Sequence, residues 1–325
     1  MWDKILQLKD PIVFLVVGMY LLIKGADWFV DGASNIAKLL KIPALIIGLT
    51  LVSMGTSAPE ASVSINASLS GLNDISMGNV VGSNIFNVLV VGGCSAIFAP
   101  MVIDREIKLY DIPIMIFISA LLVVFSFVTT PLVLNFIESL ILVIVFVLYL
   151  VFLVVRAKKT DTKQEKEEIK EEKPKALKSL ALLVVGVLAI IVGGGWVVDG
   201  ASDVARILGM DEILIGLTIV ALGTSLPELV TSIVAAKKGE NEIAIGNIIG
   251  SNVFNILFVL GLASTISSIT VNADMLIDTL FMLGTGVALM IISFIRKDIG
   301  KKIGIISILI YIAYLAYIIM RNYAF

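Results

Sequence analysis

The residues best suited to ion chemistry are two glutamates that lie within apolar stretches of the chain. Glu60 and Glu228 each end a Gly-Thr-Ser-x-Pro-Glu segment. Residues that precede each glutamate at intervals i, i+3, i+4 and i+7 share one helical face with it. The two stripes are Ser53, Thr56, Ser57 and Glu60, and Ala221, Thr224, Ser225 and Glu228. Each stripe therefore presents a carboxylate together with hydroxyl groups.

A second pair of polar stripes follows each glutamate. Their members are spaced i, i+4 and i+8: Asn79, Ser83 and Asn87 in one copy, and Asn247, Ser251 and Asn255 in the other. If the four stripes meet, they form a cage of carboxylate, hydroxyl, amide and carbonyl oxygens. Such oxygens are ligands of hard cations, here sodium or calcium, with magnesium and manganese as further candidates.

Other polar residues in the apolar stretches have simpler interpretations. A lone buried glutamate can be a structural partner, but a matched pair favours a functional site because ionisable groups are costly in a membrane. Asp31 and Asp199 are expected to pack or pair near an interface rather than bind ions. Lys24 and Asp27 are expected to form a local pair. Asn84 and Asn252 fit either ion ligation or helix–helix contact.

The composition indicates an integral membrane protein. The chain has 325 residues, of which 58% are hydrophobic and 15% charged, with a mean hydropathy of +1.05. This charge is too low for a soluble protein of this size. There is no histidine, and the single cysteine excludes an internal disulfide. We therefore expect no enzyme activity, no cofactor and no nucleic-acid partner, with the lipid bilayer as the surroundings.

The elements that position the stripes are transmembrane helices, which need about 20 apolar residues per crossing. The sequence predicts ten of them, at 11–39, 43–70, 77–101, 107–129, 132–155, 177–207, 212–237, 244–268, 274–295 and 303–320. Pro59 and Pro227 lack an N–H group and are predicted to kink the second and seventh helices. The kinks would free backbone carbonyls for ion binding.

A long internal repeat organises these helices. Residues 28–87 recur at 196–255, shifted by 168 positions, with 31 identical pairs among 60. Five crossings separate the copies, so the two copies run through the membrane in opposite directions. The sequence thus predicts an all-α membrane protein with ten helices in two inverted five-helix repeats. Inverted repeats are typical of alternating-access transporters.

A charged segment divides the chain and orients it. We expect halves at 1–155 and 179–325, joined by a solvated linker at 156–178. If the linker is cytoplasmic, 19 Lys and Arg residues lie inside and four outside. Both termini are then outside, and the expected location is the plasma membrane.

The paired motifs resemble the two alpha-repeats of the calcium/cation antiporter superfamily, in its prokaryotic sodium/calcium exchanger branch. In each copy, Gly-Thr-Ser-x-Pro-Glu precedes Gly-Asn-x-x-Gly-Ser-Asn-x-Phe-Asn. The resemblance implies that Glu60 and Glu228 bind calcium with the backbone carbonyls of Thr56 and Thr224. It implies flanking sodium sites built from Ser53, Thr56, Ser57 and Ser83, and from Ala221, Thr224, Ser225 and Ser251.

The resemblance also shows one departure from the family pattern. Asn87 and Asn255 match a central pair, and several family members have an aspartate at the second position. With Asn255 there, the cage has only two carboxylates, so the coupling to protons or potassium stays open.

The expected function is a sodium/calcium antiporter that works as a monomer. Proton/cation antiport at the same cage remains an alternative. A passive cation channel and a scaffold with a structural ion are less favoured.

Overall fold

Long apolar stretches of the sequence form long helices in the computed structural model, which describes residues 8–129, 132–164, 175–210, 219, 221–271 and 274–323. The helices are α1 (Lys9–Leu40), α2 (Ala44–Thr56), α3 (Ala58–Leu69), α4 (Ile75–Phe98), α5 (Ile107–Thr129), α6 (Phe136–Gln164), α7 (Ala176–Leu208), α8 (Leu226–Lys237), α9 (Asn241–Ile266), α10 (Met275–Ile295) and α11 (Lys301–Tyr323). Within these residues, eight helices are long and apolar enough to cross a membrane, and the bent pair α2–α3 adds a ninth crossing. The prediction of an all-helical membrane protein is confirmed.

The seventh predicted span is described only in part. Its second half forms α8, which follows a short helical turn at Ala221–Gly223. Residues 211–218 and 220 lie outside the described residues. The other nine predicted spans each correspond to a helix or to the bent pair, with ends that differ by a few residues.

The predicted kink before Glu60 is present. Helices α2 and α3 meet at an angle of 50°. The break lies at Ser57, whose φ of −82° and ψ of 10° are not helical, and Pro59 is in the first turn of α3. Ser225 has nearly the same dihedral angles, φ −91° and ψ 4°, immediately before α8. Both repeats therefore interrupt the helix at the serine that precedes the proline.

Helices α1 and α7 pack closely against each other through glycines. The glycines recur every seven residues in both helices, at Gly18, Gly25 and Gly32 and at Gly186, Gly193 and Gly200. A Cβ atom at Gly25 would lie 2.8 Å from the backbone nitrogen of Ile190, and one at Gly186 would lie 2.5 Å from that of Phe29. Small residues are what allows the two backbones to approach this closely.

Two short antiparallel ribbons connect the halves at the ends of the helices. Strand β1 (Met101–Val102) pairs with β4 (Asp298–Ile299), and β2 (Val133–Leu134) pairs with β3 (Ile269–Thr270). Each ribbon takes one strand from each half. The β1–β4 ribbon lies at the membrane face where α6 ends and α7 begins, which we call the linker face. The β2–β3 ribbon lies at the other face, which we call the opposite face.

Helices α6 and α7 extend into the segment at 156–178 that the sequence assigns to a linker. Helix α6 continues beyond residue 155 to Gln164, and α7 begins at Ala176. Residues 165–174 lie outside the described residues.

The start of that segment is tied to the helices rather than solvated. Arg156 Nη1 lies 2.6 Å from Asp111 Oδ1 on α5, and Arg156 Nη2 lies 2.9 Å from Glu106 Oε2. The second half has a similar ion pair, in which Arg321 Nη2 lies 2.8 Å from Asp278 Oδ2. Each pair joins two peripheral helices of one half.

Candidate cation site

The helices that carry the asparagine stripes lie at the centre of the molecule, and both contain a π-helical turn. Helix α9 is almost entirely buried, and most of α4 is buried as well. Their π-helical turns span Asn87–Val91 and Asn255–Leu260. A π-helical turn inserts an extra residue and is frequent at functional sites. Both turns begin at the asparagine that ends the predicted stripe.

The two glutamates are hydrogen-bonded across the halves. Ser57 Oγ donates to Glu228 Oε1 at 2.7 Å, and Ser225 Oγ donates to Glu60 Oε1 at 3.0 Å. All four side chains are buried. The structure therefore brings both predicted glutamates and their serines into one cage that neither half forms alone.

Several cage oxygens lack a hydrogen-bond donor within the described part of the chain. They include the second carboxylate oxygen, Oε2, of both Glu60 and Glu228. The side-chain oxygens Oδ1 of Asn87 and Asn255 are also buried without a hydrogen-bond donor among the described residues. Buried polar atoms normally have partners, and a buried carboxylate oxygen without one is costly. A bound cation would supply the missing interaction for all four oxygens.

Three hydroxyl residues of the first half, Thr56, Ser57 and Ser83, contact polar side chains of the second half. Ser53 Oγ donates to the carbonyl oxygen of Thr50 at 3.1 Å. Thr56 Oγ1 lies 3.0 Å from Asn247 Oδ1. Ser225 Oγ lies 3.2 Å from Ser83 Oγ. Ser83 is thus within hydrogen-bond distance of the serine that donates to Glu60.

The equivalent set in the second half is described less completely. Ser225 and Ser251 are buried, and Thr224 is partly buried. Ala221 lies in the short helical turn before α8, and its side chain is outside what the structure describes.

The first asparagine of each predicted second stripe, Asn79 or Asn247, contacts the backbone of a glutamate. Asn79 Nδ2 donates to the backbone carbonyl of Glu60 at 3.2 Å, and Asn247 Nδ2 lies 3.5 Å from that of Glu228. The same amide groups donate at 2.9 Å to Ser64 and Ser232, respectively. The Gly-Asn pair that is common to both repeats is the sequence signal for this role.

The asparagines one turn further along connect the central helices. Asn84 Nδ2 donates to the backbone carbonyl of Asn252 at 3.1 Å, and Asn252 Nδ2 donates to that of Asn84 at 3.3 Å. Asn255 Nδ2 donates to Asn84 Oδ1 at 3.2 Å. Of the two interpretations left open by the sequence, these bonds favour helix–helix contact for Asn84 and Asn252.

The aspartates of α1 lie away from the cage and form ion pairs. Lys24 Nζ lies 3.4 Å from Asp27 Oδ2, as expected for a local pair. Asp31 Oδ1 lies 2.8 Å from Lys238 Nζ, on the second half. The predicted pairing role of Asp31 is confirmed.

Sequence comparison identifies the family. The profile of the sodium/calcium exchanger protein family matches residues 11–155 and 178–320, and so includes both repeats. The chain belongs to the sodium/calcium exchanger family. As a member of this family of transporters, it is not an enzyme.

Individual relatives of this exchanger-family protein match over most of its length. The sodium/calcium exchanger MaX1 of Methanosarcina acetivorans is 35% identical, over 93% of this chain and 97% of MaX1. The inner membrane protein YrbG of Escherichia coli strain K12 is 36% identical, over 78% of this chain and 79% of YrbG.

A solved structure shares the fold. The sodium-calcium exchanger NCX_Mj, soaked with 10 mM Na⁺ and 10 mM Sr²⁺, superposes with a TM-score of 0.83 at 31% identity. The match covers 94% of this chain and 98% of NCX_Mj. The protein is therefore a multi-pass membrane protein with the two-repeat exchanger fold.

Proposed function

We propose that this protein is a secondary-active antiporter that exports calcium in exchange for sodium by alternating access. One observation carries the proposal. Each inverted repeat contributes a buried glutamate that is hydrogen-bonded by a serine of the other repeat, and each glutamate keeps one oxygen without a donor among the described residues. Such a site can hold a cation between two halves that move relative to each other.

The proposed ligands follow the repeat symmetry. Calcium lies between Glu60 and Glu228, with backbone carbonyls from Thr56 and Thr224. Sodium ions use the flanking hydroxyl groups and carbonyls of the two sets: Ser53, Thr56, Ser57 and Ser83 in one, and Ala221, Thr224, Ser225 and Ser251 in the other. Asn87 and Asn255 supply amide oxygens at the centre, because their Oδ1 atoms have no donor in the described part of the chain.

The charge of the cage explains why the ions would exchange rather than bind together. Two ionised carboxylates carry −2, which one calcium ion or two sodium ions neutralise. Ions that share the same oxygens cannot occupy them at once. An empty cage would leave two carboxylates facing each other in a medium of low dielectric constant, which opposes switching without an ion. Exchange is then favoured over uncoupled flow.

The orientation of the transporter follows from its charges. The basic residues concentrate at the linker face, and the positive-inside rule assigns that face to the cytoplasm. Both termini then lie outside the cell, and the transporter resides in the plasma membrane. Since both halves of the cage come from a single chain, a monomer is sufficient for function.

The direct test is calcium uptake into proteoliposomes with one ion gradient imposed at a time. A sodium gradient should drive radioactive calcium flux, and neither a pH gradient nor a potassium gradient should replace it. Flux driven by a pH gradient without sodium would indicate the proton-coupled alternative. Calcium flow that needs no counter-ion would indicate a channel, and both results would refute the proposal.

A further inference from the structure

A group of polar contacts at the linker face joins the first half to the second. Ser34 Oγ on α1 donates to Glu240 Oε1 at 2.5 Å. The backbone N–H of Leu45, in the first turn of α2, donates to Glu242 Oε2 at 3.0 Å. The Asp31–Lys238 ion pair is the third such contact. We call these three contacts the linker-face clamp.

The clamp connects parts of the molecule that must separate for an ion to leave through this face. Its first-half members are on α1 and α2, and its second-half members are Lys238 and Glu240 in the turn between α8 and α9, and Glu242 in the first turn of α9. Lys238 adds a further bond, because its Nζ donates to the backbone carbonyl of Asp27 at 2.8 Å. Beneath the clamp, Ala235 of α8 is fully buried in a cluster with Phe29 and Ala33 of α1.

The repeat makes it possible to ask whether the opposite face has the same clamp. The repeat shift of 168 positions gives the counterpart of each clamp residue. Leu72 stands in place of Glu240, and Ser70 in place of Lys238. The remaining counterparts are Ser202 for Ser34, Asp199 for Asp31 and Gly195 for Asp27. Leucine accepts no hydrogen bond and serine carries no charge. Within the described residues, Ser202 Oγ is buried without a partner, where Ser34 has Glu240. Glu242 corresponds to Asp74, whose side chain lies outside what is described.

This asymmetry has an energetic consequence. In a perfectly symmetric inverted repeat, the form open to one face and the form open to the other would have equal free energies, because each is the other with its halves exchanged. Contacts without a counterpart break that equality. Hydrogen bonds to a charged group are stronger than those between neutral groups. Glu240 and Glu242 therefore stabilise closure of the linker face, and no equivalent of Glu240 stabilises closure of the opposite face.

We propose that the linker-face clamp, and Glu240 above all, sets the resting direction of the transporter by keeping the cage closed toward the linker face. This proposal rests on the alternating-access function proposed above. Glu240 is a positioning residue here, since it touches neither the cage nor the ion. At rest, ions would reach the cage from the opposite face.

Accessibility of matched cysteines tests the proposal without relying on transport. In a Cys94→Ala background, Ala235→Cys reports on the linker face and its repeat counterpart, Ala67→Cys, on the opposite face. Both alanines are buried. A membrane-impermeant thiol reagent is added to each side of oriented vesicles, and the rate of modification is measured without ions and with saturating calcium.

In the decisive variants, one residue is replaced by the residue type that stands at its counterpart in the other repeat. Glu240→Leu should raise the modification rate at position 235 about tenfold and lower it at position 67, because one hydrogen bond to a charged group is lost. Leu72→Glu should shift both rates in the same direction as Glu240→Leu, because the added carboxylate can accept a hydrogen bond from Ser202 and stabilise closure of the opposite face. Asp203→Leu is the control: Asp203 Oδ1 lies 2.7 Å from Arg206 Nη1 on the same helix, so both rates should stay unchanged.

Unchanged rates at both positions in a folded Glu240→Leu protein would overturn the proposal. So would a rise at both positions together, which indicates general loosening instead of a change of direction. Folding is checked by gel filtration and thermal melting. Because modification rates need no ion gradient, opposite shifts at the two positions would support the clamp even if sodium failed to drive calcium flux.

Discussion

Neutralising one cage glutamate should abolish high-affinity calcium binding while leaving the fold intact. In Glu228→Gln, the side chain keeps its size and an Oε1 atom that can still accept the bond from Ser57. What changes is the charge of a side chain that is fully buried. A calcium ion bound between one carboxylate and one amide leaves a net charge of +1 in a buried site.

The size of the effect follows from the cost of an uncompensated buried charge. Removing one partner of a buried ion pair costs about 3–5 kcal/mol. Since 1.4 kcal/mol corresponds to a factor of ten, calcium affinity should fall by roughly 10² to 10⁴. The repeat symmetry predicts a loss of the same order for Glu60→Gln, because Ser225 contacts Glu60 as Ser57 contacts Glu228.

Calcium titration of the purified protein by calorimetry measures this effect directly. A third buried glutamate provides the control. Glu138 accepts a hydrogen bond from the N–H of Asn135 and lies outside the cage. Glu138→Gln should bind calcium like the unmodified protein. The reasoning fails if Glu228→Gln retains its calcium affinity, or if Glu138→Gln loses as much.

Three further changes test other parts of the structure. Gly25→Val should destabilise the α1–α7 pair by about 1–3 kcal/mol, because its Cβ meets backbone; Gly195→Val, which faces open space, should leave thermal melting unchanged, and equal melting of both would contradict the close packing. Arg156→Met should cost about 3–5 kcal/mol by leaving Asp111 buried and unpaired. The added change Asp111→Leu should recover most of that loss in melting experiments, and no recovery would mean that the arginine acts otherwise. Asn255→Asp should make calcium flux more dependent on pH, since it adds a third carboxylate to the cage; an unchanged pH profile would place position 255 outside it.

The sequence was sufficient for the architecture and for identifying the two glutamates and two serines that meet between the halves. The length of the apolar stretches predicts the transmembrane crossings. The odd number of crossings between the two copies of the repeat predicts that the copies are inverted. The stripe that ends in Glu60 predicts which residues share a helical face. These properties depend on neighbours within a helix or on simple counting, so they do not require knowledge of packing.

Contacts between distant segments could not be predicted in the same way. Each serine bonds the glutamate of the other repeat, although its own glutamate is only three residues away. Arg156 looks like the first residue of a charged linker, yet it is held by Asp111. Which partner a polar group finds depends on how the helices pack, and the sequence pattern contains no direct signal for that packing.

The strand pairing in the two ribbons bears on the evolutionary origin of the chain. Strand β1 corresponds to β3 in the repeat, and each of them pairs with a strand from the other half. A protein with a single copy of the repeat could form neither ribbon within one molecule. Before duplication, such a protein would have needed two molecules inserted in opposite orientations. Gene fusion would then have made that opposite insertion a fixed property of one chain.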